Sequence, residues 1–169
     1  NVQPGQYSLE AHADVPMAEP APAPGQRPTM TPLWASQEIT VAGQSIADVT
    51  LSMAHGMNVS GRVVVEGAGP VDLSRLRVTA LPAGPTYGEF NIPAARVATD
   101  GRFTITGVVP GRYRIGSAPG SAGGVIKSSV FAGADTLDFP IEVTATQDLV
   151  GGVLTAVPRF AEITGQLQD

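Results

Sequence analysis

The stretch of sequence that decides the fold runs from residue 99 to residue 115. It reads Thr99-Asp100-Gly101-Arg102-Phe103-Thr104-Ile105-Thr106-Gly107-Val108-Val109-Pro110-Gly111-Arg112-Tyr113-Arg114-Ile115. Asp100-Gly101 is a strong turn dipeptide, because Gly tolerates a positive φ. The alternation of apolar and polar residues that follows is typical of a half-buried strand. We therefore expect a tight hairpin at Asp100-Gly101, with Phe103 facing a core.

The second half of this stretch predicts another turn and another strand. Pro110-Gly111 has the composition of the central pair of a type II turn, in which Pro fixes φ and Gly takes the left-handed position. Tyr113 is expected to place its ring in the core between two sheets and its hydroxyl on a backbone acceptor. Each of these residues has a structural role that needs no substrate.

Short alternating segments continue on both sides of this stretch. They are residues 59–65, 76–81, 96–99, 102–106, 113–115, 125–130, 141–143 and 152–154. No window shows a sustained apolar stripe of helical period, so helices should be rare. The predicted fold class is all-β, with tandem Ig-like antiparallel β-sandwiches and little or no helix.

Composition supports this class and excludes several functions. The 169 residues are 43% hydrophobic but only 5% aromatic, and Gly (20) and Pro (15) favour turns over helices. The net charge is −5 without any basic run, which argues against nucleic acid and anionic lipid as partners. No apolar run is long enough to cross a bilayer. Cysteine is absent, which excludes disulfides, thiol nucleophiles and Cys-ligated zinc.

Similar segments that recur along the chain predict the domain organisation. Val2-Gln3-Pro4-Gly5-Gln6-Tyr7 recurs at residues 108–113, Val59-Ser60-Gly61-Arg62-Val63 recurs at residues 163–167, and Ile39-Thr40-Val41 recurs at residues 141–143. All three spacings are about 100 residues, the size of an Ig-type sandwich. Residues 1–54 are interpreted as the last strands of one repeat, with a Pro-rich loop at 16–32. Residues 57–157 are interpreted as a complete repeat, and residues 161–169 as the first strand of a third.

The segment from Asp100 to Ile115, which reads D-G-x-F … P-G-x-Y, resembles the signature of carboxypeptidase regulatory-like domains, which are prealbumin-like or collagen-adhesin B-type sandwiches. The residues that carry this resemblance are Asp100, Gly101, Phe103, Pro110, Gly111 and Tyr113. The strand at 59–63 is similar to the family's first strand, and the tail at 132–138 resembles segments of large secreted bacterial proteins built from such repeats. The resemblance implies an extracellular or cell-surface protein, and the absence of an initiating Met suggests a piece of a longer chain.

Candidate sites for chemistry are sparse. His12 and His55 lie in different contexts without carboxylates at ligand spacing, so no zinc site and no His-dependent triad is predicted. Asp135, Asp138 and Asp148 are weak calcium candidates, since hard cations prefer oxygen ligands. Against this, their spacing matches no known calcium loop, and Asp in turns usually caps backbone N–H groups. We therefore predict no enzyme activity, no cofactor and no bound metal.

Exposed aromatics would be needed for the alternative, a carbohydrate-binding module. The available ones are Trp34, Tyr87 and Phe90. Trp34 is expected to start a strand and pack against the Pro-rich loop, and Tyr87 and Phe90 to form a more exposed patch. A third hypothesis is an accessory domain of a secreted hydrolase or an outer-membrane receptor.

The favoured hypothesis is a non-catalytic extracellular structural or adhesive repeat. Its predicted partners are neighbouring repeats or other copies of itself, with a glycan as an alternative. Unpaired strand edges recruit other chains, so β-strand complementation between copies would build a filament.

Overall fold

The computed structural model of the chain describes residues 2–16, 30–84, 92–158 and 165. They form twelve strands and one short 3-10 helix, Leu73–Arg75. The strands are β1 (Gly5–Pro16), β2 (Met30–Val41), β3 (Ala54–His55), β4 (Met57–Val65), β5 (Arg77–Pro82), β6 (Ala95–Arg96), β7 (Arg102–Val108), β8 (Gly111–Ser117), β9 (Val125–Phe131), β10 (Ala134–Asp135), β11 (Ile141–Val143) and β12 (Leu149–Val157). None of the described residues belongs to a helix long and apolar enough to cross a bilayer.

The chain divides into two compact units, Asn1–Gly56 and Met57–Asp169. The described part of the first unit is a single antiparallel sheet in the order β1-β2-β3. Its two long strands pair without a register shift, from Gly5 opposite Val41 to Pro16 opposite Met30. Because side chains alternate between faces, this ribbon has one apolar face and one polar face.

The second unit is a sandwich of two sheets. The larger sheet has the order β10-β9-β12-β4-β7 and the smaller one β11-β8-β5-β6. A single buried cluster contains side chains of both sheets. Its members include Val59, Val63, Leu76, Val78, Phe103, Ile105, Tyr113, Ile115, Ile126, Phe131 and Leu154. The core is enclosed by short strands, each of which has one apolar face. The all-β fold expected from the sequence is confirmed.

The expectation that all strands pair antiparallel is wrong at one place. β12 runs parallel to β4, from Leu149 opposite Val59 to Ala156 opposite Val65. These are the last and first strands of the second unit. The strands between them cross from one sheet to the other rather than forming one meander. This topology allows the first and last strands to lie side by side in one sheet and to run in the same direction. Alternation of side chains carries no information on strand direction, so this pairing was not predicted.

The type II turn expected at Pro110-Gly111 is also wrong. Gly111 has a φ of 158°, far from the value of about +80° that a type II turn requires. It is already the first residue of β8, where it pairs with Val143 of β11. Gly107, inside β7, is the left-handed residue of this stretch, with a φ of 76°. Pairing with β11 extends the backbone at Gly111.

The strand bounds correct two further expectations. β1 continues through Pro16 and β2 begins at Met30, so both ends of the expected 16–32 loop belong to the ribbon. Trp34 accordingly lies inside β2 and does not start it. Residues 17–29 are outside the described residues, as is the expected strand at 161–169 except for Gly165.

Candidate functional site

Tyr113 fastens the beginning of β8 to the loop before it. Its hydroxyl donates a 3.0 Å hydrogen bond to the backbone carbonyl of Val109. Its ring covers Gly111, where an added Cβ would lie 3.3 Å from the ring. Tyr113 is 3% exposed, and this burial raises the pKa of the hydroxyl to about 12. The ring therefore packs in the core, and the hydroxyl bonds to the backbone.

The first unit repeats this arrangement around Tyr7. The Tyr7 hydroxyl donates a 2.8 Å hydrogen bond to the carbonyl of Gln3, again four residues earlier. An added Cβ on Gly5 would lie 3.4 Å from the Tyr7 ring. The difference is burial, since Tyr7 is 36% exposed. The two tyrosines have the same local geometry, but only Tyr113 is covered.

The strand register around the two tyrosines is also the same. In the first unit the partners are Gly5 with Val41, Gln6 with Thr40 and Tyr7 with Ile39. In the second unit they are Gly111 with Val143, Arg112 with Glu142 and Tyr113 with Ile141. Each unit thus contains a Gly-x-Tyr ladder, defined here as a Gly-x-Tyr segment paired antiparallel with an Ile-x-Val segment.

Asp100-Gly101 forms the expected tight turn before β7. The Ala98 N–H donates a 2.8 Å hydrogen bond to the Arg102 carbonyl, and Gly101 has a φ of 85°. The Asp100 carboxylate accepts a 3.0 Å bond from the Arg102 N–H. The Val63 N–H donates a 2.7 Å bond to the Gly101 carbonyl, which ties the turn to β4. Asp100 therefore caps backbone groups.

The parallel pair β4–β12 depends on two glycines. The backbones at Gly61 and Gly152 approach so closely that a Cβ on Gly61 would overlap the Gly152 carbonyl. A Cβ on Gly152 would overlap the ring of Phe131, which is fully buried. The register of the pair shifts between Leu149 and Gly152, a β-bulge at this position. Strand glycines commonly mark bulges or close backbone approach, and that signal in the sequence was not used.

Asp148 holds the beginning of the same strand pair. Its carboxylate accepts a 2.8 Å hydrogen bond from the backbone N–H of Asn58 and a 3.1 Å bond from the Asn58 side chain. The backbone bond, followed by the side-chain bond, lowers the pKa of Asp148 below its usual 3.8. The carboxylate that the sequence offered as a calcium ligand thus connects the residue before β12 to β4.

The calcium candidates are not brought together. Asp135 accepts a 2.9 Å hydrogen bond from the Leu137 N–H, as an Asp that caps a turn does. Asp138 is exposed, and Asp148 is engaged with Asn58. Across the residues that the structure describes, no group of three or more His, Asp or Glu side chains could hold a metal ion.

The histidines and Trp34 belong to the first unit. His12 is exposed and lies opposite Trp34 in the ribbon. The half-buried Trp34 donates a 3.2 Å bond from its indole Nε1 to the carbonyl of His55. It is therefore used to join β2 to β3. The other two aromatics of the carbohydrate hypothesis, Tyr87 and Phe90, lie outside the described residues.

An open cleft of about 520 Å³ lies on the apolar face of the first unit. Leu9, Ile39 and Val41 of the ribbon form its floor, and the segment 43–49 supplies Ile46 and Val49. Ile46 and Val49 are 46% and 38% exposed. Gln44 and Ser45 also line the cleft, so its surface is mixed, and none of the lining residues suits acid–base chemistry.

Comparison with known proteins finds no match: no family model, no curated protein and no solved structure matches this chain.

Proposed function

We propose that the chain is part of an extracellular structural repeat protein. Its modules separate and present other parts of the protein and catalyse no reaction. The observation that carries this proposal is the parallel pairing of β4 with β12, the first and last strands of the second unit. Because the two strands run side by side in one direction, the chain enters the sandwich at one end and leaves it at the other. Strands of nine residues make this separation about 30 Å.

This geometry suits a module under tension. A pull on the beginning of β4 and the end of β12 acts along both strands in opposite directions. The ladder of hydrogen bonds from Val59–Leu149 to Val65–Ala156 is then loaded in shear, so its bonds resist together rather than one at a time. The asparagine–aspartate contact at Asn58 and Asp148 adds two bonds at one end of this ladder.

The distinctive side chains of the second unit support a non-catalytic role. The Tyr113 hydroxyl is bonded to a backbone carbonyl, and Asp100, Asp135 and Asp148 accept bonds from backbone N–H groups. A catalytic group must keep its proton-transferring or nucleophilic atom available to a substrate. Here these atoms are used to fix turns and strand ends.

Repetition of the module is part of the same proposal. The Gly-x-Tyr ladder occurs once in each unit with the same register and the same tyrosine bond. We take the two units as versions of one module of the carboxypeptidase regulatory-like type. The resemblance of the signature segment to repeats of large secreted bacterial proteins is the support for a place outside the cell.

Single-molecule pulling of the full chain from its two ends tests the mechanical role. We expect the second unit to unfold in one step, lengthening the molecule by roughly 300 Å, and to refold when the force is relaxed. The matched variant Gly152→Ala, which disturbs the β4–β12 pair, should unfold at lower force. Gradual extension without a step, or equal forces for both chains, would contradict the proposal. Protease treatment of intact source cells should release peptides from residues 57–158 if the protein is extracellular.

A further inference from the structure

The outer face of the smaller sheet in the second unit is basic. Along β5, β6 and β8, side chains of the buried cluster alternate with side chains that point away from it. The side chains that point away include four arginines: Arg77, Arg96, Arg112 and Arg114. On the described strands of this sheet they meet one carboxylate, that of Glu142, which lies opposite Arg112. We call these four residues the arginine face.

The charges of the arginine face are not neutralised within the described part of the chain. The two ion pairs there, Arg102 with Asp100 and Lys127 with Glu66, belong to the region of the larger sheet. Arg77 and Arg96 are directly opposite each other, and like charges in this position destabilise a sheet. A carboxylate supplied by a partner would relieve this repulsion, and the planar donors of a guanidinium group fit a carboxylate well.

The corresponding face of the first unit is acidic. It is the face of the ribbon that points away from Tyr7 and Leu9, just as the arginine face points away from Tyr113. It carries three exposed carboxylates, those of Glu10, Asp14 and Glu38. At the described strand positions of this face the one further titratable side chain is that of His12. We call the three acidic residues the carboxylate face.

The arginines are arranged as a close pair followed by further charge along the strands. Arg112 and Arg114 are two residues apart on β8, a separation of about 7 Å. Arg77 lies beside Ala118, whose N–H bonds to the Arg77 carbonyl. Ala118 is four residues beyond Arg114, so Arg77 and its neighbour Arg96 lie about 13 Å farther along the sheet.

The carboxylates have the same spacing. Glu38 lies opposite Ser8, which makes it a diagonal neighbour of Glu10 at about 7 Å. Asp14 is four residues beyond Glu10 on β1, again about 13 Å. A rigid ribbon without a register shift and a sandwich sheet therefore present opposite charges at matching intervals.

We propose that the arginine face of one copy of this chain binds the carboxylate face of a second copy. The whole chain has a net charge of −5, so a second copy is an acidic partner for this basic face. Single exposed ion pairs contribute little, so the contact depends on several pairs acting together and weakens with salt. The two faces are different surfaces, which makes the contact head-to-tail. It goes beyond the proposed function, because it forms whether or not the second unit bears tension.

An exchange of charge between two full-length variants tests this contact by sedimentation. One variant is Arg112→Glu, Arg114→Glu, and the other is Glu10→Arg, Glu38→Arg. The average mass of the wild type should rise above 17.3 kDa with concentration at low salt and fall back at about 1 M salt, where the Debye length is about 3 Å. Neither variant should associate alone. Their mixture should associate, because one variant keeps the carboxylate face and the other keeps the arginine face.

The matched control is Arg62→Glu, Arg75→Glu, which changes the net charge equally at exposed positions outside the arginine face and should associate as the wild type does. Circular dichroism checks that each variant keeps its sheets. A monomeric wild type at low salt, association of either variant alone, a monomeric mixture, or equal loss in the control would overturn the contact. A wild type that stays monomeric but binds heparin through Arg112 and Arg114 would assign the face to an anionic polymer instead. Pulling on the second unit is independent of all these results.

Discussion

The backbone of Gly61 in β4 lies against the backbone of Gly152 in β12, with no room for a side chain between them. This contact lets the first and last strands of the second unit pair in parallel across a bulge. On the other side, the ring of Phe131 fills the space above Gly152. Two glycines in strands, where glycine is normally unfavourable, are explained by this approach.

Replacement of Gly152 by Ala should therefore destabilise the second unit by about 3 kcal/mol, because the new methyl group overlaps the Phe131 ring in a packed core. Urea unfolding followed by circular dichroism measures the loss. Gly84→Ala is the control, since nothing lies within 4 Å of a Cβ at that position. A Gly152→Ala protein as stable as Gly84→Ala would show that the strands do not approach as described.

Removal of the Tyr113 hydroxyl tests the tyrosine bond. Tyr113→Phe keeps the ring but leaves the Val109 carbonyl without its 3.0 Å partner, which should cost about 1 kcal/mol of unfolding free energy. Tyr7→Phe removes the equivalent bond from a more exposed residue and should cost less. Equal losses for both variants would argue that burial does not strengthen the bond.

Alkaline pH should weaken the fold through the same residue. Burial raises the pKa of Tyr113 from 10.0 to about 12, so the folded state holds its proton in a range where the unfolded chain releases it. The contribution of the neutral hydroxyl is complete below pH 10.0 and is lost as the pH rises towards 12. Stability curves of wild type and Tyr113→Phe measured across this range should converge. A constant difference between them would contradict the raised pKa.

Acid pH should weaken the fold through Asp148, whose pKa is shifted down whereas that of Tyr113 is shifted up. Its pKa is lowered from 3.8 by the Asn58 N–H and side chain, so the ionised form is the one that stabilises the fold. The stabilisation is present above the unfolded value of 3.8 and is lost as the pH falls below it through the folded pKa. Asp148→Asn should therefore be less stable than wild type at neutral pH, with the difference shrinking in acid. Asp138→Asn, an exposed carboxylate in the same unit, should match wild type throughout.

Local sequence pattern predicted the strands of the second unit well, because alternation and turn dipeptides act over a few residues. The Asp100-Gly101 turn and the burial of Phe103 and Tyr113 follow from these local patterns and are confirmed. Strand partners are decided by contacts between distant residues. The parallel pairing of β12 with β4 and the extended backbone at Gly111 therefore escaped prediction.

The candidate site was harder to predict than the fold. Asp148 was noticed as a carboxylate, but its partner Asn58 is 90 residues away and no local pattern connects the two. The tyrosine bond was foreseen for Tyr113, since a buried hydroxyl needs an acceptor, while its copy at Tyr7 became visible only with the register. Trp34 was expected to pack on the Pro-rich loop, and its indole bond to His55 depends on β3, which no sequence signal marked.

The direction of an applied force tests the central claim most directly. Cysteine handles at Gly56 and Pro158 lie beyond opposite ends of the β4–β12 pair and load it in shear. Handles at Glu66 and Pro158 lie at the same end, where the Glu66 N–H bonds to the Ala156 carbonyl at 2.9 Å, and so peel the pair open one bond at a time. We expect a clearly higher unfolding force for the first geometry, and an equal or lower force would contradict a role in bearing tension.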